Sequence, residues 1–320
     1  MSRVLVTGAT GFIGRHLAAA LLEQGSEVVA LVRASSDPSA LPVEVSRVVG
    51  DLRDGSGLLR AVDRCGADVV VHLASLLKVP WRPDFSTINV EGTRRVAAAA
   101  AQSGARLVVV SSLAAGPRAP VSRYGRVKRA AEDAARVCCP DVHVVRPPMV
   151  YGPRDAAMLP LFRAAASGWH LCPTRPVRRV SLVSVTDLAD FLARLSSEHT
   201  GPAGVFYPAH AEAVGWDALG DSLAAACGAP PPRQIFVPRP MMALSAWAAE
   251  RWGRLRDQPV AFNEDKWAEA CAGDWLCDTT SAEALGWRPG ALDARLAEAA
   301  RWYQEAGWLK SVRAAATSGT

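Results

Sequence analysis

Val4-Leu-Val-Thr-Gly8-Ala-Thr-Gly11-Phe-Ile-Gly14 decides the fold. A short, branched apolar run ends in three spaced glycines, and an alanine- and leucine-rich stretch follows. The run reads as a buried strand and the stretch as an amphipathic helix over Ile13–Gln24. Gly8 permits the tight turn between them, and Gly11 lets backbone approach a pyrophosphate. Gly14 lets the helix pack closely on the strand, and the helix N-terminus faces the anion. The motif follows a first strand and opens a helix, which is the context dinucleotide binding requires. Gly8, Gly11, Phe12, Ile13 and Gly14 are therefore the first cofactor-binding candidates.

Outward from that turn, β-branched runs alternate with alanine-rich stretches. Strands are expected at Arg3–Val6, Glu27–Val32, Glu44–Val49, Asp68–His72, Arg106–Ser111 and Val142–Arg146. Helices are expected at Ile13–Gln24, Ser56–Cys65, Ile88–Ser103 and Ser122–Cys138. Continuous apolar strands between helices imply an α/β, Rossmann-type, doubly wound parallel sheet. Such sheets bind ligands beyond the carboxyl ends of their strands. After about residue 150 the pattern loosens. Helices are expected near Met158–Ser167, Asp187–Ser196, Trp216–Ala226, Met241–Arg251 and Ala291–Ala306, with a short strand pair at Arg179–Val183 and Val205–Tyr207. The reading is a dinucleotide-binding domain over 1–150, to which the chain returns within 177–208. A smaller, mostly helical substrate domain spans 151–312, and 313–320 is a disordered tail.

Composition bounds the function. The 320 residues are 50% hydrophobic. No run is long enough to span a membrane, and the apolar stretch Met241–Ala249 is short and broken by Ser245. The start of the chain runs straight into a strand, so no signal peptide is expected. Seven cysteines, an odd number without metal-ligand spacing, argue against a disulfide framework or a metal site and fit a reducing cytoplasm. The net charge of +5 comes from scattered arginines, with lysine only at Lys78, Lys128, Lys266 and Lys310. No long basic run suggests nucleic acid, so an anionic cofactor or substrate is the simpler explanation.

The second strand ends in Val32-Arg33-Ala-Ser35-Ser36. A site selecting NAD carries an acid there for the ribose 2′-hydroxyl. Arg33 instead attracts a 2′-phosphate, Ser35 and Ser36 add hydrogen bonds, and Asp37 lies four residues too late. NADP(H) is therefore expected over NAD(H).

Tyr124-Gly-Arg-Val-Lys128 places a phenol and an ammonium one helical turn apart on one face. A free tyrosine titrates near ~10, and a nearby cation favours the phenolate. Poising it near neutrality takes about 4 kcal/mol, much of which a close cation in a dry site can supply, helped by a bound cofactor.

With Thr7-Gly-Ala-Thr-Gly-Phe-Ile-Gly14, Gly50-Asp51-Leu52, Val70-Val-His72-Leu-Ala74, Asn89-Val-Glu-Gly-Thr93, Ser111-Ser112 and Tyr124-x-x-x-Lys128 in order, the chain resembles the extended short-chain dehydrogenase/reductase family. The likeness continues through Val145-Arg146-Pro147, Tyr151-Gly152-Pro153, Ser184-Val185-Thr186-Asp187 and Leu285-Gly286-Trp287-Arg-Pro289. It implies Tyr124 as general acid/base, Lys128 as the cation that lowers its pKa and holds the nicotinamide ribose, and Ser112, favoured over Ser111, as the group orienting the reacting oxygen. It also implies that Asp51 and Leu52 flank the adenine, that Leu73, Ala74 and Ser75 line the cofactor, and that Pro147 abuts the nicotinamide. Asn89 would tie down cofactor or active-site backbone, or cap a helix. Asp187 is implied to be structural. Ser184 stands where relatives often have histidine, which would alter a contact there. Helices Ile88–Ser103 and Ser122–Cys138 imply a homodimer.

Two departures narrow the chemistry. Leu113 and Ala114 occupy the places where the family's dehydratases carry an acidic pair, and neither can move a proton, which argues against dehydration. Ser112 and Tyr124 are only twelve residues apart. That connection still reaches up to about 40 Å when extended, but it leaves a more open site, with any lid coming from the C-terminal half. Seven tryptophans there, from Trp169 to Trp287, suit an apolar substrate or pack a core, while Met241 and Met242 read as core. Arg154, Arg163, Arg175, Arg178 and Arg179 could instead meet a diphosphate. The expected activity is an NADP(H)-dependent ketoreductase or alcohol dehydrogenase on a hydrophobic molecule. The alternatives are a nucleotide-sugar 4-epimerase with tightly bound NAD and a dinucleotide-binding sensor without turnover.

Overall fold

A computed structural model describes residues 2–77, 82, 84–116, 120–173, 177–197, 203–260 and 262–310. In chain order the first half runs β1 (Arg3–Thr7), α1 (Phe12–Glu23), β2 (Glu27–Val32), β3 (Ser46–Val49), α2 (Gly55–Cys65), β4 (Val69–His72), a π-helical turn (Thr87–Glu91), α3 (Gly92–Ser103), β5 (Arg106–Val110), α4 (Arg123–Cys138) and β6 (His143–Val145). The second half runs β7 (Met149–Tyr151), α5 (Leu159–Ala166), β8 (Trp169–Cys172), β9 (Arg179–Val180), β10 (Leu182–Ser184), α6 (Val185–Ser197), β11 (Val205–Phe206), β12 (Val214–Gly215), α7 (Trp216–Ala226), β13 (Arg233–Phe236), α8 (Arg239–Arg256), α9 (Glu264–Cys271), α10 (Thr280–Glu283) and α11 (Leu292–Glu305).

Seven parallel strands form the main sheet in the order β11-β6-β5-β4-β1-β2-β3. Strand order reverses between β1 and β4, so the crevice beyond their carboxyl ends is the expected ligand position. Successive β1 residues face opposite sides. Val4 and Val6 join one core with Leu17, Leu188, Phe191 and Trp287, and Leu5 joins another with Leu58, Val62, Val96 and Ala135. Helices α1 and α6 thus cover one face, and α2, α3 and α4 the other. Each fully buried Leu or Phe contributes about 1.5–3 kcal/mol. A third core, around Phe162, Leu219, Leu223, Leu296 and Tyr303, is formed by α5, α7 and α11.

The expected strand pair does not form. Val205–Phe206 extends the main sheet beside β6, while β9 pairs with β12 and β10 with β7. The backbone of the second half is thereby divided among three two-stranded pairs, each too short to show periodicity. Helix α8 extends to Arg256, well past the expected end at Arg251. Met241 is not core but 62% exposed. Residues 311–320, with the expected tail, lie outside the described residues.

Candidate active site

The glycine turn is fitted by what its residues lack. Gly8 has φ +73°, and a Cβ there would stand 2.7 Å from the Ala74 nitrogen. A Cβ at Gly14 would stand 2.2 Å from the Gly8 oxygen, which fixes α1 against the turn. Helix α1 starts at Gly11 without a side-chain cap, whereas Asp54, Ser122 and Asn263 cap α2, α4 and α9. Uncapped amides at Phe12, Ile13 and Gly14, with no Cβ at Gly11, fit an anionic pyrophosphate. Arg15, just after the last glycine and missed in the sequence reading, donates to the Thr10 and Gly11 carbonyls at 2.8 and 3.3 Å.

Thr7, at the end of β1, links the turn to β4. Its hydroxyl lies 2.7 Å from His72 Nδ1 and accepts from the Ala74 amide at 3.2 Å. His72 Nε2 lies 3.0 Å from the Thr93 hydroxyl. Burial, with Lys128 nearby, lowers this imidazole to about 3, so it is neutral. Asn89 does not cap a helix. From the π-helical turn its Oδ1 accepts from the Ser75 hydroxyl at 2.7 Å and the Leu76 amide at 2.8 Å, fixing the backbone after β4.

Leu73, Ala74, Ser75, Ser112 and Pro147 follow the carboxyl ends of β4, β5 and β6, on one side of the switch point. Gly8, Arg33, Ser35 and Asp51 follow β1, β2 and β3, on the other. Arg33 and Ser35 are exposed. Asp51 is held at about 2, chiefly by its hydrogen bonds from Arg53 and with Arg33 contributing. Arg53 is thus ion-paired with Asp51 at 2.6 Å. Leu52 is buried, and its carbonyl accepts from Arg95 at 2.9 Å.

Ser111 and Ser112 face different partners. The Ser111 hydroxyl donates to Glu132 at 2.5 Å, and Glu132 takes Arg146 Nε and Nη2 at 2.9 and 2.6 Å. Arg146 also donates to the Tyr207 hydroxyl at 2.6 Å. This buried network occupies Ser111. Ser112 interacts with the Tyr124 phenol, pulling its pKa down, and accepts from the Ala114 amide at 3.2 Å. Gly125 permits the approach of α4, since a Cβ there would stand 2.4 Å from the Ala114 oxygen.

Lys128 is 8% exposed and donates to the Val110 carbonyl at 2.9 Å. Burial lowers it to about 8, against the attraction of Glu132, so it is largely charged at neutral pH. The expected lowering of the phenol is not met within the chain alone. Tyr124 retains a partly exposed surface, yet burial pushes it up to about 12; Ser112 pulls against that and Glu269 adds to it. The Lys128 ammonium is directed to Val110, and burial dominates.

The start of α4 is clasped from far along the chain. Asp265 accepts from the amides of Arg123 and Tyr124 at 3.1 and 3.0 Å and from Arg123 Nε at 3.0 Å. Glu250, on α8, takes Arg123 Nη2 at 2.7 and 2.9 Å, and Glu269 accepts from the Ser122 hydroxyl at 2.8 Å. No short-range pattern marks these three acids. Asp265 and Glu269 stand in the acid-rich start of α9, whereas Glu250 is a lone acid on α8.

The other expectations for the second half divide. Ser184 accepts from the Asp187 amide at 3.0 Å, and Asp187 takes Arg295 at 2.6 Å. Trp287 lies in the main core, Trp216 and Trp275 pack on the third core, and Trp169, Trp247 and Trp252 are exposed, so the tryptophans form no single wall. Arg163 donates to the Trp308 carbonyl and Arg179 to that of Ala213. Arg175 lies outside the described residues. A cleft of about 480 Å³ is lined by Phe12, Arg15, Arg154, Trp302 and Trp308, and contains none of Ser112, Tyr124 and Lys128. Among the described residues no cluster of His, Cys, Asp or Glu could hold a metal ion, and no helix is long and apolar enough to cross a membrane.

Residues 4–206 match the NAD dependent epimerase/dehydratase family. The chain belongs to that family. It is an NAD(P)-dependent enzyme of the extended short-chain dehydrogenase/reductase type. This family member is 36% identical to a ceramide reductase of Caulobacter vibrioides over 311 residues, covering 96% of each chain. It is 30% identical to sterol demethylase protein B of Methylococcus capsulatus, covering 95% of this chain and 99% of that protein. Its fold superimposes on a UDP-glucose 4-epimerase of Thermus thermophilus, solved with NAD, with a TM-score of 0.73 at 24% identity over 95% of this chain and 99% of that one.

Proposed function

We propose that this enzyme is an NADP(H)-dependent ketoreductase or alcohol dehydrogenase acting on a keto or hydroxy group of a hydrophobic, lipid-like molecule. The observation that carries the reading is the placement of Ser112, just beyond the carboxyl end of β5, against Tyr124 and Lys128, one helical turn apart on α4. The relative named ceramide reductase supports the lipid class. Arg33, where an NAD-selecting site carries an acid, favours a 2′-phosphate.

When bound, the cofactor supplies the hydride. Ser112 orients the substrate oxygen by hydrogen bonding. Tyr124 donates its proton to that oxygen in reduction and removes it in oxidation. Lys128 keeps positive charge near the phenol as negative charge develops. Leu113 and Ala114 carry no proton for an elimination. The homodimer through α3 and α4 and the cytoplasmic location belong to the same proposal.

The test is NADPH and NADH oxidation across long-chain and short ketones, with Tyr124→Phe as control. Tyr124→Phe should lower kcat by about 10²–10⁴-fold while leaving dinucleotide affinity near wild type. Near-normal turnover by that variant, or a clear NADH preference, would overturn the corresponding part. NAD(H) retained through purification would favour the epimerase.

A further inference from the structure

Helix α8 turns its apolar side outward. Met241, Leu244, Trp247, Trp252 and Leu255 are 62, 64, 47, 57 and 83% exposed. At helical spacing, Met241, Leu244, Ala248, Trp252 and Leu255 fall in one stripe, with Trp247 beside it. The opposite side, with Ala246, Glu250 and Gly253, is buried. Glu250 is the helix's one acid, and it is committed to Arg123 and Arg254. The outward surface therefore carries positive charge alone. Arg251 stacks over Trp247 at 5.5 Å and Arg256 over Trp252 at 4.4 Å, at the two margins of the stripe. Among the described residues no carboxylate pairs with Arg239, Arg251 or Arg256.

We propose that α8 is an interfacial docking helix that lays this stripe on a bilayer surface carrying anionic headgroups. An outward apolar face edged by arginine–tryptophan pairs has the composition of helices that lie in the headgroup region. Charge favours that occupant over a second copy of the chain. A symmetric contact through this face would bring arginine margins together with no acid to meet them. A bilayer supplies apolar depth for Leu244, Trp252 and Leu255 and phosphates for the margins. Glu250 on the inner side binds Arg123, the residue before Tyr124, so docking would set the candidate site beside the lipid surface. The inference goes beyond the proposed reaction, since it holds whichever molecule is turned over.

The experiment is co-sedimentation of the full chain with vesicles of phosphatidylcholine alone or mixed with phosphatidylglycerol. Binding to the mixed vesicles should exceed binding to neutral ones by about tenfold or more and weaken with salt. Leu244→Glu/Trp252→Glu/Leu255→Glu should lose binding by about tenfold or more with an unchanged melting profile. Arg251→Gln/Arg256→Gln should lose the preference for anionic vesicles. Failure of the wild type to sediment with mixed vesicles overturns the proposal. So does equal binding by the triple variant. A wild-type dimer that the triple variant breaks, without vesicle binding, assigns the face to a second copy and also overturns it.

Discussion

The two ends of the candidate site are held by different means. At the glycine turn, backbone lies against backbone, and Gly8 and Gly14 serve by having no side chain. At the start of α4, side chains do the holding: Asp265, Glu250 and Glu269 reach back about 130–150 residues to Arg123, Tyr124 and Ser122. The first arrangement is local in sequence and intolerant of added volume. The second is long-range and depends on charge, so it should yield by degrees.

That contrast predicts a graded series. Gly14→Ala should do the most damage, because its Cβ meets backbone that cannot turn aside; a loss of about 3 kcal/mol or more is expected, with dinucleotide binding lost too. Denaturant unfolding and a fluorescence titration with NADPH check both. A tolerated alanine would break the comparison at its firmer end.

The adjacent serines should separate next. Ser112→Ala should lower kcat by about 10–100-fold with little change in stability. Ser111→Ala should cost about 1–3 kcal/mol by leaving Glu132 short of a donor, with turnover kept within a few-fold. Steady-state kinetics beside thermal melts would reveal an exchange of roles, which would sink the assignment.

Asp265→Ala should cost about 1–2 kcal/mol, as lost helix caps do, and lower kcat while leaving dinucleotide affinity alone. Asp265→Asn should recover part, since its carbonyl can still accept from the two amides. A parallel fall in cofactor affinity would show that the two ends are not independent.

The last effect appears only in acid. His72 titrates near 3 when folded against 6.5 when free. The unfolded chain takes up that proton first as pH falls, so the contribution present above 6.5 is lost between 6.5 and about 3. The slope should approach about 1.4 kcal/mol per pH unit, and His72→Gln should flatten it in unfolding curves.

Much of the dinucleotide half was legible because its signals are local. Glycine spacing, branched runs and helix periodicity each fit within a dozen residues, and β2 was bounded to the residue and α2 to within one. The second half was less legible because its strands are short and exposed, as at Arg233–Phe236, and its packing is long-range. Met241 looked like core because an outward apolar stripe and an inward one share the same periodicity. The raised phenol of Tyr124 was invisible for a similar reason: the spacing shows Lys128 nearby, but not that its ammonium is directed to Val110.

Asp265 holds the proton-donor candidate by its backbone and not by its ring. The C-terminal helices can therefore be remodelled for a new substrate, provided that the carboxylates clasping the start of α4 stay in place. A chimera that imports another C-terminal half while keeping acids at positions 250, 265 and 269 should inherit a working donor. One that loses the acid at 265 should present its new pocket to a tyrosine set at the wrong height.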